Sequence, residues 1–320
     1  MAYISNVTQS VIKNAAKALK DGHLVAFPTE TVYGLGADAT NRKAVSHIYA
    51  VKGRPLDHPL IVHISSINQL DRWTVEIPKY AINLAKNYWP GPMTLILKRS
   101  EIAKDFITGG QDNVGVRVPN QPVALALLSE LESLGGYGIA APSANRFGAV
   151  SPTNAEAVVE ELGNYLQESD LILDGGQCLV GVESTIIDCT KVYPEVLRPG
   201  AITAEMIEQT TGFKIFSNSI KFENKASGLL ESHYSPKAKV IIGTTAEPGD
   251  GFIAMANFST PTGAVRLASP ENIEQYARNF YSALREGDRR ELKKITLIHP
   301  DGEGLAAAIR DRASKAASGK

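Results

Sequence analysis

Positive side chains and short hydroxyl or amide donors recur in this chain beside prolines and glycines, at points where an apolar run has just ended. Lys52-Gly53-Arg54-Pro55 sets two cations two residues apart. On an extended backbone such positions share a side, so both can face one anion, Lys52 as a mobile point charge and Arg54 as a planar fork. A solvated basic turn is the plain alternative. Ala141-Pro142-Ser143-Ala144-Asn145 puts two short donors, Ser143 and Asn145, at the same spacing. Arg117 lies in Val114-Gly115-Val116-Arg117-Val118-Pro119, where the valines take one strand face and Gly115 and Arg117 the other. A charge on a core strand needs a carboxylate, from protein or ligand. Arg198, ahead of Pro199-Gly200, is a second candidate anion ligand. Pro28-Thr29-Glu30-Thr31-Val32-Tyr33 crowds polar groups at a strand end, where α/β proteins build sites. There Thr31 can hold a small polar substrate, or the segment is a connecting turn. His58 and His63 flank Pro59-Leu60-Ile61-Val62. That spacing points them to opposite faces of a strand, which argues against a shared metal. By local context His63 reads as a satisfied core histidine.

Several familiar sites are absent. The chain has no GxxxxGK[ST] phosphate loop, no HExxH and no GxSxG. Gly34-Leu35-Gly36-Ala37-Asp38-Ala39 fits a loose GxGxxA dinucleotide pattern, but Pro28 to Tyr33 separates it from the preceding strand, where the motif should begin directly. A Ser143 nucleophile with His63 as base would make a hydrolase, without an elbow motif to support it. The two cysteines, Cys178 and Cys189, form neither a disulfide framework nor a zinc pattern and fit a reducing, cytoplasmic setting. No metal site built from protein ligands is expected. No apolar run approaches the roughly 20 residues of a membrane span. A net charge of −1 is unlike a chain whose main task is gripping duplex nucleic acid.

The 320 residues, 43% hydrophobic and 21% charged, suggest two ordinary globular domains. Apolar runs predict strands over 24–27, 59–64, 93–97, 114–118, 138–141, 171–173, 184–188 and 196–198. Helical spacing predicts helices over 11–19, 44–51, 77–88, 123–134 and 202–209, and Thr153-Asn154-Ala155-Glu156 reads as a capping box opening another. Strands and helices without strict alternation imply an α/β domain on a mixed sheet, over residues 1–212. Periodicity fails across 213–237, which reads as a linker. Residues 238–320 carry strands near 240–242, 252–255 and 295–298 and helices near 273–284 and 305–314, a small second α/β domain.

Taken in order, PTETVYGLG, KGRP, HPLIVHI, WPGPMTLIL, VGVRVP, APSANRFGAVSPT, GVESTIID and VLRPGAIT resemble the Sua5/YrdC family over roughly residues 10–205. ASGLLESHYSPKAKV and GLAAAIRDRASKAA resemble its longer, Sua5-type members. The resemblance implies a YrdC-like α/β twist around a mixed sheet with a deep electropositive cavity, plus a small Rossmann-like C-terminal domain. It implies a threonylcarbamoyl-AMP synthase that takes ATP with Mg2+, L-threonine and bicarbonate and releases pyrophosphate. The product would go to a TsaD/Kae1-type transferase, for the t6A modification of tRNAs reading ANN codons. The catalytic lysine, arginine, serine and asparagine match Lys52, Arg54, Ser143 and Asn145. ATP contacts carry over to Arg54, His58, Asn113, Ser143, Ser151, Arg198 and Tyr234, and threonine contacts to Thr31, His63, Arg117, Ala141 and Ser184. For His63 this replaces the core reading. His58 and Asn113 depart from the family's usual Asn and Thr, though both can donate hydrogen bonds. The His233-Tyr234 pair, in a segment without core periodicity, is the expected lid. Two other roles, a carbamoyl-transferring relative and a non-enzymatic RNA-binding module, fit the same cavity. The first carries zinc-finger cysteines that this chain lacks.

Overall fold

The computed structural model describes residues 4–215 and 233–319. The linker expected over 213–237 therefore falls partly outside the described residues. Ten strands come from the first part of the chain: β1 Ile4–Asn6, β2 Val25–Phe27, β3 Gly34–Asp38, β4 Ile61–His63, β5 Met93–Lys98, β6 Asn113–Arg117, β7 Ile139–Ala140, β8 Leu171–Asp174, β9 Thr185–Asp188 and β10 Glu195–Arg198. They form one mixed sheet in the order β1-β8-β2-β3-β7-β4-β6-β5-β9-β10. Pairing is parallel at β1–β8, β2–β8, β4–β6 and β5–β9, and antiparallel elsewhere.

Helices cover the sheet because their apolar residues recur on one stripe. The helix Gln9–Lys20 presents Ile12, Ala15, Ala16 and Leu19 to the helix Pro122–Ser133 and to Val25 and Phe27 of β2. The helix Arg42–Lys52 joins a second, larger core through Ala44, Val45, Ile48 and Tyr49. Its ends follow from local chemistry. The Asn41 side chain accepts hydrogen bonds from the Lys43 and Ala44 amides, and Gly53 turns into the left-handed region at φ 61°.

Three strands were not expected. β3 consists of the glycine-containing segment that matches the loose dinucleotide pattern and lies outside the predicted strands. A Cβ on Gly36 would stand 2.6 Å from Ile139 Cγ2 and 2.8 Å from the Phe27 ring, so glycine is what lets β3 lie between β2 and β7. β1 and a later strand, Val265–Ala268, are short and not fully buried. The helix Ala155–Leu162 is capped by Asn154 rather than by Thr153: the Asn154 Oδ1 accepts from the Ala157 amide at 2.8 Å.

The remaining strands, β11 Lys239–Ile242, β12 Gly251–Ile253, β13 Val265–Ala268 and β14 Lys294–Leu297, form a separate parallel sheet in the order β11-β14-β12-β13. Its helix Ile273–Arg289 packs against the first unit. Val32, Val150 and Val182 share one core cluster with Tyr276, Ala277, Phe280 and Tyr281. The close approach depends on Gly181, where a Cβ would meet Arg278 Cα at 2.4 Å. No described helix is long and apolar enough to cross a membrane.

Candidate active site

A cavity of about 50 Å³ opens among the edges of these strands. It is lined by Thr31 before β3, His63 on β4, Arg117 at the end of β6, Ala141 and Ser143 after β7, Ser184 before β9, and Arg198 at the end of β10. Arg54 enters from the turn after Gly53, and His233 and Tyr234 from the segment leading to β11. Residues predicted from eight separate stretches of sequence thus meet in one hollow.

His63 and Arg117 are register partners on the parallel strands β4 and β6. Arg117 donates to the Thr31 hydroxyl at 3.0 Å and lies 2.7 Å from Glu30 Oε1. That contact is an ion pair without hydrogen-bond alignment, and the Arg117 Nε also has no hydrogen-bond partner. Glu30 is itself fixed, accepting from the Asn120 amide at 3.0 Å. The core-strand cation therefore has its carboxylate within the protein, with donor capacity left over. Burial, then the Arg117 charge, push His63 down to about 3, so its ring is neutral. Its Nδ1 is buried without a hydrogen-bond partner.

Arg54 donates to the Pro59 carbonyl at 3.0 Å, and burial lowers its pKa to about 10. Arg198 donates from Nε to the Ser184 carbonyl at 3.0 Å and from a terminal nitrogen to the Ser184 hydroxyl at 3.1 Å. The residue expected to touch threonine is thereby bonded to one expected to touch the nucleotide.

Five predicted residues do not line the cavity. Lys52 is not on an extended backbone beside Arg54, because it ends a helix and Gly53 reverses the chain. Its ammonium is buried and donates to the carbonyls of Ser143 (2.6 Å) and Asn145, so it holds the loop carrying Ser143. Burial, then repulsion from Arg54, lower its pKa. Asn145 spends its amide hydrogens on its own loop, at the Arg146 and Ala149 carbonyls (2.7 and 2.8 Å). Ser151 is buried and donates to Glu183 at 2.7 Å. His58 sits in a turn, not on a strand, with its ring edge-on to Phe147 at 5.3 Å. Asn113 begins β6 opposite Lys98.

Glu183, which lines the cavity, was missed. It accepts from Ser151, from the Tyr281 hydroxyl at 2.8 Å and from the Arg312 Nε at 3.2 Å. Burial alone would raise its pKa, but Arg312, Arg198 and these hydrogen bonds carry it down to about 2. A carboxylate inside the apolar run Val180 to Ile187 was the available signal. Its partners are too distant in sequence to be inferred.

Among the described residues no three His, Cys, Asp or Glu side chains cluster as metal ligands. The carboxylates nearest the cavity, Glu30 and Glu183, are already engaged by arginines. The donor set thus suits a magnesium ion that arrives on substrate phosphates rather than one held in a protein cage.

Fold and cavity define a mixed-sheet α/β protein in which three arginines converge on one hollow between strand ends. The family model described as "Telomere recombination", covering Sua5, YciO and YrdC proteins, matches residues 17–200, and the model "Threonylcarbamoyl-AMP synthase, C-terminal domain" matches residues 202–318. A threonylcarbamoyl-AMP synthase of Pyrococcus abyssi is 39% identical over 99% of this chain and 98% of its own length. One from Bacillus subtilis is 37% identical over 97% and 93%. The crystal structure of P. abyssi Sua5 complexed with L-threonine superposes with a TM-score of 0.89, at 39% identity and 99% and 98% coverage. The chain belongs to the Sua5/YrdC family and is of the long, Sua5 type.

Proposed function

We infer that this chain is a threonylcarbamoyl-AMP synthase. The observation that carries the reading is the convergence of three guanidinium groups, from Arg54, Arg117 and Arg198, on one cavity whose lining holds a single carboxylate, Glu183. Such a hollow favours ligands bearing several negative charges. Named relatives carry the same activity along the whole chain.

Threonine's amine combines with bicarbonate, losing water, to give a carbamate. A carbamate oxygen attacks the α-phosphorus of ATP and pyrophosphate departs. The attacking group is already anionic, so positioning and charge stabilisation dominate over general base catalysis. In this reading Arg117, Thr31, His63, Ala141 and Ser184 hold threonine, with Arg117 taking its carboxylate. Arg54, Ser143, Arg198 and Tyr234 face the nucleotide. Lys52 and Asn145 act by fixing the loop of Ser143, and Ser151 acts through Glu183. Magnesium enters on the ATP phosphates as part of that substrate.

By the usual allowance a volume of about 50 Å³ admits roughly three to five waters, far less than a nucleotide. We therefore assign a lid role to the segment beginning at His233. It packs closed over the cavity, with Tyr234 buried against Tyr281 at 5.6 Å and the Ser235 amide on the Gly148 carbonyl at 2.9 Å, and Tyr234 adopts φ 61°. His233 and Tyr234 line the cavity, and His233 Nδ1 and Tyr234 Oη are buried without hydrogen-bond partners, with capacity left for a ligand. Downstream, a TsaD/Kae1-type transferase in the cytoplasm would place the group on tRNA.

Purified protein given Mg-ATP, bicarbonate and L-threonine should release pyrophosphate, and omitting any one should stop it. Release indifferent to threonine or bicarbonate would overturn the assignment. If residues 225–320 are deleted and rate and product retention stay unchanged, the lid role is wrong.

A further inference from the structure

The second domain reaches the cavity-lining Glu183 through two buried side chains that do not themselves line the cavity, Arg312 and Tyr281. Arg312, on the helix Leu305–Ala317, is fully buried and spreads its guanidinium over four acceptors. It donates to Glu183 Oε2 at 3.2 Å, to the Glu183 carbonyl at 3.3 Å, to the Pro199 carbonyl at 2.7 Å and to Asp311 at 2.9 Å. Two of these residues flank site residues, since Glu183 precedes Ser184 and Pro199 follows Arg198. The same guanidinium lies 5.9 Å from the Tyr234 ring centroid. Tyr281, from the helix Ile273–Arg289, bonds the same Glu183 oxygen.

We propose that Arg312 is a positioning residue of the synthase site: through Glu183 and the Pro199 carbonyl it sets the placement of Ser151, Ser184, Arg198 and Tyr234, so the second domain completes the catalytic cavity. The proposal rests on the synthase reading given above. The physical reason is that Glu183 lies among groups that would not arrange themselves. Without Arg312 its carboxylate keeps only hydroxyl partners, Ser151 and Tyr281, inside a buried setting, and turns towards the nearest remaining cation, Arg198. Arg198 then loses its alignment on Ser184, and the nucleotide and threonine contacts lose their common reference. The charge holds Glu183 and the planar fork adds reach, because a lysine ammonium is a single point that keeps the charge but does not span the separate Glu183, Pro199 and Asp311 acceptors as well.

The groups facing Glu183 are Arg312 and Tyr281 from the second domain, Ser151 and Arg198 from the first, and Tyr234 and His233 from the connecting segment. With its main cationic neighbour removed, Glu183 should titrate at a higher pH. The variant should then gain an acid limb in its rate profile that the parent lacks in the same range.

The test uses the full chain and four proteins: the parent, Arg312→Gln, Arg312→Lys and, as a surface control, Arg289→Gln. Arg289 forms an exposed interdomain pair with Glu160 at 2.8 Å. Threonine-dependent pyrophosphate release is measured against pH, with separate kcat and KM for ATP and threonine, on samples shown folded by circular dichroism. Arg312→Gln should lose on the order of 100-fold in kcat/KM, as displaced positioning groups do, and acquire the acid limb. Arg312→Lys should recover part of the rate and the parent's pH profile, and Arg289→Gln should match the parent. A folded Arg312→Gln with the parent's rate and pH profile overturns the proposal. So does a loss in which Arg312→Lys fares no better, which would mark a packing role only. If the parent itself shows no threonine-dependent release, the synthase reading fails instead, before any variant is compared.

Discussion

Replacing Arg117 with methionine separates folding from binding. Arg117 and Glu30 are each only 4% exposed and lie 2.7 Å apart, so the substitution leaves the buried Glu30 carboxyl without its cationic partner and facing methionine. Breaking a buried pair from one side costs about 3–5 kcal/mol, mostly the uncompensated charge. At about 2–4 °C per kcal/mol for a unit of this size, melting should drop by roughly 10 °C. Adding Glu30→Gln removes that charge, and replacing both members of a buried pair is often close to neutral. The double variant should therefore regain most of the lost stability. It should not regain threonine affinity, because charge-assisted hydrogen bonds to the amino acid's carboxylate, worth about 1.5–3 kcal/mol, are gone. That is a loss of roughly 10- to 150-fold, readable by calorimetric titration with L-threonine. A single variant within 1 kcal/mol of the parent would show that the pair is not the buried constraint described. A double variant that binds threonine normally would show that Arg117 does not hold the substrate.

Gly36→Ala should cost about 1–3 kcal/mol in urea unfolding, since the added methyl meets Ile139 and Phe27 inside the sheet; an unchanged midpoint would contradict the packing described. Lys52→Met should lower turnover on the order of 100-fold by loosening the Ser143 loop, with the change in kcat exceeding that in the KM for threonine; a pure KM effect would argue against a loop-holding role. His63 and His233 both have folded pKa values near 3, against about 6.5 for an unfolded histidine. Between those values the unfolded chain binds protons that the folded chain refuses, so stability falls as pH drops from about 6.5 toward 3. At pH 5 each should cost about 2 kcal/mol relative to pH 7, and His63→Asn should flatten its share of the slope in urea titrations. Glu183 acts lower, contributing stability above the ordinary carboxylate range that is lost as pH falls toward about 2.

What the sequence disclosed depended on how local each signal is. Long apolar runs such as Met93 to Leu97 and amphipathic stretches such as Val11 to Leu19 state their structure within one segment, and both formed as read. β3 was hidden because Gly34 and Gly36 look like turn residues in isolation; only the closeness of Phe27 and Ile139 explains them. The cations of the site were visible because Arg and Lys beside strand-ending prolines are unusual for a core. Their division of labour was not visible. Lys52 looked equivalent to Arg54 until Gly53 proved to be a helix cap that sends the two side chains to different tasks. Glu183 and Arg312 are 129 positions apart, and no short-range pattern links a carboxylate near β9 to an arginine on the last helix.

The central claim is that this cavity joins threonine, bicarbonate and the adenylyl group of ATP into one molecule. The direct measurement is mass spectrometry of products formed with carbon-13 bicarbonate and L-threonine in the presence of Mg-ATP. The account predicts a threonylcarbamoyl-adenylate carrying the label, and none when threonine is left out. An adenylate without the label, or AMP formed at the same rate without threonine, would contradict it.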